Sequence, residues 1–549
     1  MALLLCGGLL AEGPPTEISR KGMVAAATPE ASRAGAQILA AGGNAVDAAV
    51  ATAFALAVTY PQAGNLTGGG FLVLRRANGE LHALDFRESG PAAVWRDTFA
   101  APGTSSWKDG LAVATPASVR GLEEAHRRFG RMPWRKVLAP AIQLAADGFL
   151  VPQGLVTELV DKENRDLLSR NPESLRVFFP GGDAIRVGSR FVQPDLARTL
   201  QAIAREGADG FHRGEIARRV SAFVQATGGV LTEGDLAGYR PVWRAPLSVD
   251  RGRDRIVTMS LPSSGGFLLA HFFGQLGFVP GSLAEPFSPG TLHLMAEVER
   301  RAFADRNRFL GDPSCVDVPL ARLLAPARLA ELGAAIDVAR ATSSKAVVGL
   351  ERAEREETTH VSVATADGEA VAMTTTLNGT FGNGAIVPGV GVLLNNEMDD
   401  FATRPGQPNY FGLVQGDSNA VRAGGRPLSS MTPTIVLRDG RVRWVLGSPG
   451  GSTIPTTVLQ VYLHVATRGT SLADAVAAPR FHHQHLPDQI SLERGGFSAE
   501  VQGGLAKLGH TLVERRPIGN VQAIEVLPDG RLVGVSDPRG YGRPSAPAP

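Results

Sequence analysis

The sequence predicts an α+β fold in which two β-sheets stack on one another and helices cover them from outside. Three observations carry this. Past residue 358, three Asp-Gly turns (Asp367-Gly368, Asp439-Gly440 and Asp529-Gly530) each separate alternating or β-branched runs, the mark of hairpins. Early in the chain, Asn78-Gly79 joins apolar runs over residues 71–74 and 81–86 in the same way. Between roughly residues 115 and 340 come helical stretches such as 194–205 and 291–309, broken at Gly and Pro. Strands in both halves with helices between them bury their apolar faces by stacking as sheets under helical layers.

In chain order, residues 1–12, MALLLCGGLLAE, are apolar like the centre of an export signal, though short and without a basic start. Residues 1–15 therefore read as a leader remnant, and the mature protein is expected in the periplasm or outside the cell. Thr28-Pro29-Glu30 reads as an N-cap, a first-turn proline and an acid favoured by the helix dipole, opening a helix that ends at Gly42-Gly43. Asn44, with Asp47 three residues on, caps a second helix whose small residues predict burial; it stops at Tyr60-Pro61. The cluster Gly68-Gly69-Gly70 precedes the first hairpin, and folding that hairpin about its turn brings Arg87 opposite Gly70.

The 549 residues, 44% hydrophobic and 20% charged, supply a large core and one interlocked body. The 55 basic and 53 acidic residues form no long run of either sign, which excludes nucleic acid as a partner. Cys6 and Cys315 make no disulfide framework and no CxxC pair. After the start, no stretch reaches the roughly 18 apolar residues of a membrane span.

The chemistry concentrates in three places. In Glu356-Glu357-Thr358-Thr359-His360-Val361-Ser362-Val363 a threonine stands just before a strand, and the partner strand over residues 370–376 ends in Thr376. If Ala366 faces Glu369 across a two-residue turn, Thr359 faces Thr376, so two hydroxyls meet within about one residue of each other. A threonine hydroxyl needs a base to attack, and an N-terminal threonine carries one in its own amine, of reference pKa about 7.7–8.0. That amine exists only once the bond after Glu357 is cut; threonine pairs in strands are otherwise ordinary β-formers. Second, Gly447-Ser448-Pro449-Gly450-Gly451-Ser452 follows a strand over residues 442–446 and precedes a helix from about Thr453. Its N–H groups can stabilise an oxyanion, or the glycines merely allow a tight turn. Third, Asn395-Asn396-Glu397-Met398-Asp399-Asp400-Phe401, with Asn378, Ser429-Ser430 and Arg87, can hold a zwitterion: carboxylates suit an ammonium, an arginine and hydroxyls a carboxylate. Taken singly, each is an ordinary surface or capping residue.

Residues 358–401, with PLSSM at 427–431 and GSPGGS at 447–452, resemble the γ-glutamyltranspeptidase family, and the likeness spans nearly the whole chain. It includes GGNAVDAAVA at 42–51, PQAGN at 61–65, DFRE at 85–88, PSSGG at 262–266, FLGDP at 309–313, APRFHHQ at 478–484 and SDPR at 536–539. The resemblance implies an N-terminal-nucleophile hydrolase fold, an αββα four-layer sandwich that cuts itself into two subunits which stay together as a heterodimer. Here these would be residues 16–357 and 358–549. It further implies Thr358 as nucleophile, Thr376 as its hydroxyl partner, and Gly450 and Gly451 as the oxyanion hole. Arg87, Ser429 and Ser430 would bind the α-carboxylate; Asn378, Glu397 and Asp400 would bind the α-ammonium. Some members carry glutamine where Glu397 stands. Residues 405–416 match the family's lid loop, with Phe411 in place of a tip tyrosine and Tyr410 adjacent.

The implied activity is cleavage of glutathione and other γ-glutamyl compounds, with transfer of the acyl group to water, an amino acid or a peptide. No metal or organic cofactor is required. The same hydroxyl first attacks the Glu357 carbonyl to free its own amine. Relatives that deacylate cephalosporins or attach capsule polymers are the nearest alternative. A metallohydrolase built on His482, His483, His485 and Asp488, and an uncleaved binding protein, are alternatives of other classes.

Overall fold

The structure is a computed structural model that describes residues 13–344 and 358–548. Most of the leader segment, and Glu357, lie outside the described residues.

Two capped helices open the fold. Thr28 accepts a hydrogen bond from Ala31 N (3.2 Å) at the start of Pro29–Ala40. Asn44 and Asp47 form a reciprocal capping box at the start of Ala45–Thr59, which is buried along its whole length. The helices pack closely because Gly35 has no Cβ; one placed there would strike Thr52 Oγ1. Asp47 also accepts from Arg131 N (3.0 Å) and Met132 N (3.2 Å), fastening the helix start to the chain beyond the next helix.

These helices cover a six-stranded antiparallel sheet in the order Gly22–Ala26, Thr358–Thr365, Ala370–Thr376, Gly69–Arg75, Leu81–Phe86, Val242–Arg244. Side chains alternate between its faces. Val361, Val363, Val371 and Met373 pack under the helices with Val50 and Phe54. Ala364, Ala370, Ala372, Phe71 and Val73 share the other core with Val445, Ile524 and Val535. Those last three belong to a seven-stranded antiparallel sheet in the order Thr16–Ser19, Leu532–Ser536, Gln522–Val526, Arg441–Leu446, Thr434–Arg438, Asp254–Thr258, Leu247–Arg251. Helices Gly265–Leu276 and Ile454–Thr467 contribute Leu268, Phe272 and Val458 to the same core. The layers are helix, sheet, sheet, helix, the αββα sandwich expected from the sequence.

The hairpins differ from expectation in one respect. Of the four turns expected from sequence, only Asp439-Gly440 closes with two residues, with Arg438 facing Arg441 and both turn residues at positive φ (52° and 78°). At Gly79, Gly368 and Gly530 (φ 91°, 83° and 82°) the glycine is the third residue of a three-residue loop. A left-handed glycine after a type I turn takes up that extra residue. Gly70 therefore faces Phe86, and Arg87 lies one step further on than expected.

Replacing Asp47 by alanine strands the buried N–H group of Asn44 and the partly buried ones of Arg131 and Met132. This is expected to cost about 2–4 kcal/mol, read as a lower urea midpoint; an unchanged midpoint would contradict the role given to this cap.

Candidate active site

The strand Thr358–Thr365 begins where Ala370–Thr376 ends, and Thr358 pairs directly with Thr376. The two-residue turn assumed from sequence displaced this register by one; the three-residue loop brings the two threonines face to face. Thr358 Oγ1 donates to Thr376 Oγ1 at 3.3 Å, and Asn378 N donates to the same oxygen at 2.8 Å. Thr358 is 4% exposed. The glycine cluster explains how the neighbouring chain comes so near: a Cβ at Gly68 would strike the Thr376 carbonyl, and one at Gly69 would strike Glu88 Oε2. Asn65 Nδ2 donates to the Thr376 carbonyl at 2.9 Å and pins the strand end. His360, on the same face as Thr358, bonds Thr374 and Ser362, and burial pulls its pKa down to about 3, so it is a neutral packing group.

The glycine turn lies against this pair. Gly450 and Gly451 both hold positive φ (134° and 46°), and neither N–H meets a protein acceptor among the described residues. Gly451 and Ser452 line one cavity with Thr358 and Thr376; Gly450 stands directly before them. The turn passes through a 3-10 segment, Gly451–Thr453, into Ile454–Thr467.

The rest of that cavity is charged. Arg87, Asn378, Glu397, Asp400, Ser429 and Ser430 all line it, so the zwitterion-holding set expected from sequence is brought together. Arg87, fully buried, donates from Nη1 to Glu397 Oε1 (2.5 Å) and from Nη2 to Asp400, with Glu88 Oε2 at 3.5 Å from Nη1. Its Nε donates to the Pro427 carbonyl at 3.2 Å. Burial works against its charge, but Glu397, Asp400 and Glu88 outweigh burial and hold its pKa above the ordinary value. Asn378 Oδ1 and Glu397 Oε2 are buried acceptors with no donor among the described residues, which is where an ammonium fits.

Glu88 and Glu397 are both harder to ionise than ordinary glutamates. Burial lifts Glu397 well above the carboxylate range, with Arg87 opposing and Glu88 and Asp400 adding to the lift. Glu88 is lifted to about 7, again by burial against the pull of Arg87. Glu88 Oε1, like Glu397 Oε2, is a buried oxygen with no donor among the described residues.

Free space in the cavity is small, about 20 Å³, room for roughly one water. Phe411 and Leu413 form part of its wall, while Tyr410 turns away onto Trp107, ring centres 6.0 Å apart. A larger cavity of about 580 Å³ lies beside helix Pro172–Phe178, but it contains neither threonine nor Arg87.

The histidine reading is corrected. The strand ends at His482, and His485 takes φ 73° with its N–H donating to His483 Nδ1 (3.1 Å). Strand alternation, which would aim both rings at one ion, is absent there. His293, Glu297 and His510 are closer-set, within 4.8 Å, but His293 Nδ1 and His510 Nε2 bond each other at 2.8 Å. Glu297 is held by Arg300 and Arg301.

Sequence reasoning missed three residues here. Glu88 was noted only as the end of DFRE. Arg306 and Gln415 lie in stretches read only as a helix (291–309) and as the lid loop (405–416), with no role given to either; the available signal was the density of polar residues late in Pro289–Phe309, whose buried set includes Glu299, Asp305, Arg306 and Asn307.

Comparison with known proteins follows the same line. A family model described as Gamma-glutamyltranspeptidase matches residues 31–546. A glutathione hydrolase proenzyme of Escherichia coli is 43% identical over 528 residues, covering 95% of this chain and 91% of that protein. An acylase ACY 1 proenzyme of Pseudomonas sp. (strain SE83) is 36% identical over 548 residues, covering 97% and 95%. The crystal structure of a cephalosporin acylase from Bacillus halodurans superposes with a TM-score of 0.85 at 26% identity, over 100% of this chain and 99% of that one.

The raised pKa of Glu88 makes stability depend on pH. The fold holds its proton until about pH 7, whereas an ordinary glutamate releases it at 4.5. The stabilisation is complete below about 4.5 and is lost as pH rises through about 7. Glu88→Gln keeps a donor and an acceptor without titrating. Its melting temperature is expected to match that of the wild type near pH 5 and exceed it by about 2–4 °C near pH 8.5; an equal difference at both pH values would contradict the raised Glu88 pKa.

Proposed function

The chain belongs to the gamma-glutamyltranspeptidase family, and from that premise we infer that it is a γ-glutamyltransferase and glutathione hydrolase made as a self-cleaving proenzyme. The observation that carries this reading is the threonine pair, Thr358 Oγ1 to Thr376 Oγ1 at 3.3 Å, at the wall of a pocket with charged groups of both signs.

In maturation Thr358 Oγ attacks the Glu357 carbonyl carbon, the peptide C–N bond breaks, and the acyl group moves from nitrogen to oxygen. Water then hydrolyses that ester, leaving a carboxylate on Glu357 and a free amine on Thr358. The products are a large fragment ending at 357 and a small fragment, residues 358–549, joined non-covalently through the six-stranded sheet that both build. In turnover the amine takes the Thr358 hydroxyl proton as Oγ attacks the donor's γ-carbonyl. The N–H groups of Gly450 and Gly451 receive the oxyanion, an interaction whose loss typically costs about 3–4 kcal/mol of transition-state stabilisation. As the C–N bond breaks, the ammonium returns the proton to the leaving amine. Water or an amino acid or peptide amine then attacks the ester, and Thr358 Oγ leaves with a proton.

Arg87, Ser429 and Ser430 hold the α-carboxylate, and Asn378, Glu397 and Asp400 the α-ammonium. Burial lifts Glu397 well above the carboxylate range, and in its neutral form it acts as the glutamine of other members does. The small free volume requires the segment bearing Phe411 and Leu413 to withdraw before a γ-glutamyl group enters. The apolar start supports export to the periplasm or beyond, and no described helix is long and apolar enough to cross a membrane.

The acylase relatives favour a second reading, in which the acyl group is glutaryl and brings no ammonium. The unpaired acceptors Asn378 Oδ1 and Glu397 Oε2 weigh against it. Wild-type protein is expected to cleave γ-glutamyl-p-nitroanilide with a kcat/KM at least about tenfold above that for glutaryl-p-nitroanilide. Thr358→Ala should lose both activities by roughly a thousandfold or more and remain one band on a denaturing gel. Preference for the glutaryl donor would move the chain to the acylases.

A further inference from the structure

We propose that Arg306 is a second carboxylate-binding residue of this pocket, a cation that sets donor specificity by pairing with the α-carboxylate beside Ser430. The proposal rests on reading the cavity as a γ-glutamyl site.

Arg306 reaches the cavity from helix Pro289–Phe309 and lines it with Thr358, Arg87, Ser429 and Ser430. It is 1% exposed. Its Nε donates to Ser264 Oγ (3.3 Å), Nη1 to Asn307 Oδ1 (2.9 Å) and Gln415 Oε1 (3.0 Å), and Nη2 to Ser430 Oγ (3.3 Å). Every one of these acceptors is neutral, and no carboxylate among the described residues forms an ion pair with Arg306. The acids of the pocket converge on Arg87 instead.

A guanidinium buried without an anion is strongly unfavourable unless something supplies the missing charge. Burial pulls its pKa down to about 10, with Asp400 opposing and Arg87 adding to the fall, so it stays charged at neutral pH. The donor's carboxylate, held by the Ser429-Ser430 hydroxyls, provides that charge. Arg87, already engaged by three carboxylates, cannot be its sole partner without giving one of them up. Through Gln415, which also donates to the Asp400 carbonyl (3.3 Å), Arg306 links the carboxylate end of the pocket to the base of the covering segment.

A purely structural strut would make the same hydrogen bonds, and the two roles separate by donor. The 4-aminobutyryl-p-nitroanilide keeps the ammonium and the scissile amide but lacks the α-carboxylate. In the matured enzyme, Arg306→Gln is expected to raise KM for γ-glutamyl-p-nitroanilide by about tenfold or more while kcat/KM for the 4-aminobutyryl donor changes less than about twofold. Equal losses on both donors would overturn the proposal. If the glutamine variant fails to mature, Arg306→Lys, which keeps the charge and loses the fork, is read for the same ratio. A loss confined to the γ-glutamyl donor supports the proposal, and an equal loss overturns it. Wild type inactive on γ-glutamyl-p-nitroanilide would instead defeat the functional reading beneath it.

Discussion

The antiparallel pairing of the strand that begins at Thr358 with the strand that ends at Thr376 is the constraint on which the rest depends. It puts two hydroxyls in contact at the end of a sheet, on the face turned towards the second sheet, where neither is free to wander. The close approach of the Gly68–Gly70 chain follows from it, since any side chain at Gly68 would push Thr376 away. So does the division of labour between the sheets. The six-stranded sheet carries the hydroxyl pair, and a turn leaving the seven-stranded sheet after Leu446 carries the N–H groups of Gly450 and Gly451. Packing one sheet on the other thus assembles nucleophile and oxyanion site from distant parts of the chain.

Charge is arranged with the same economy. Two carboxylates, Glu397 and Asp400, and two guanidinium groups, Arg87 and Arg306, line the pocket, so its charged groups of the two signs are equal in number. A zwitterion enters such a site without changing its net charge. The unpaired groups that remain are of opposite kinds and lie on different elements. Acceptors come from the Asn378 and Glu397 loops, and an arginine comes from the helix Pro289–Phe309. This separation is what gives the pocket a direction.

Much of this was legible in the sequence where physics is local. Caps at Thr28 and Asn44, the buried small-residue helix and the hairpin positions depend on neighbours a few residues apart, and each stands where expected. Register was misjudged by one at Asp367-Gly368 and Asn78-Gly79, because an Asp-Gly or Asn-Gly pair marks a turn without stating whether the loop holds two residues or three. The grouping of Arg87 with Glu397, Asp400, Ser429 and Ser430 was legible only through the family resemblance, since these residues meet across more than 300 positions of chain. The roles of Glu88, Arg306 and Gln415 were not read from sequence. Their meaning arises from burial beside other charges, and a helix such as Pro289–Phe309, polar on a face that proves to be covered, reads in sequence as a solvated one.

The central claim is that Thr358 is both the attacking group and a new N-terminus. N-terminal sequencing of the smaller fragment of the purified wild-type protein, combined with its intact mass, tests this most directly. The account predicts a fragment beginning Thr-Thr-His-Val and ending at Pro549. A fragment starting at any other residue, or a single uncut chain that nevertheless cleaves γ-glutamyl amides, would contradict it.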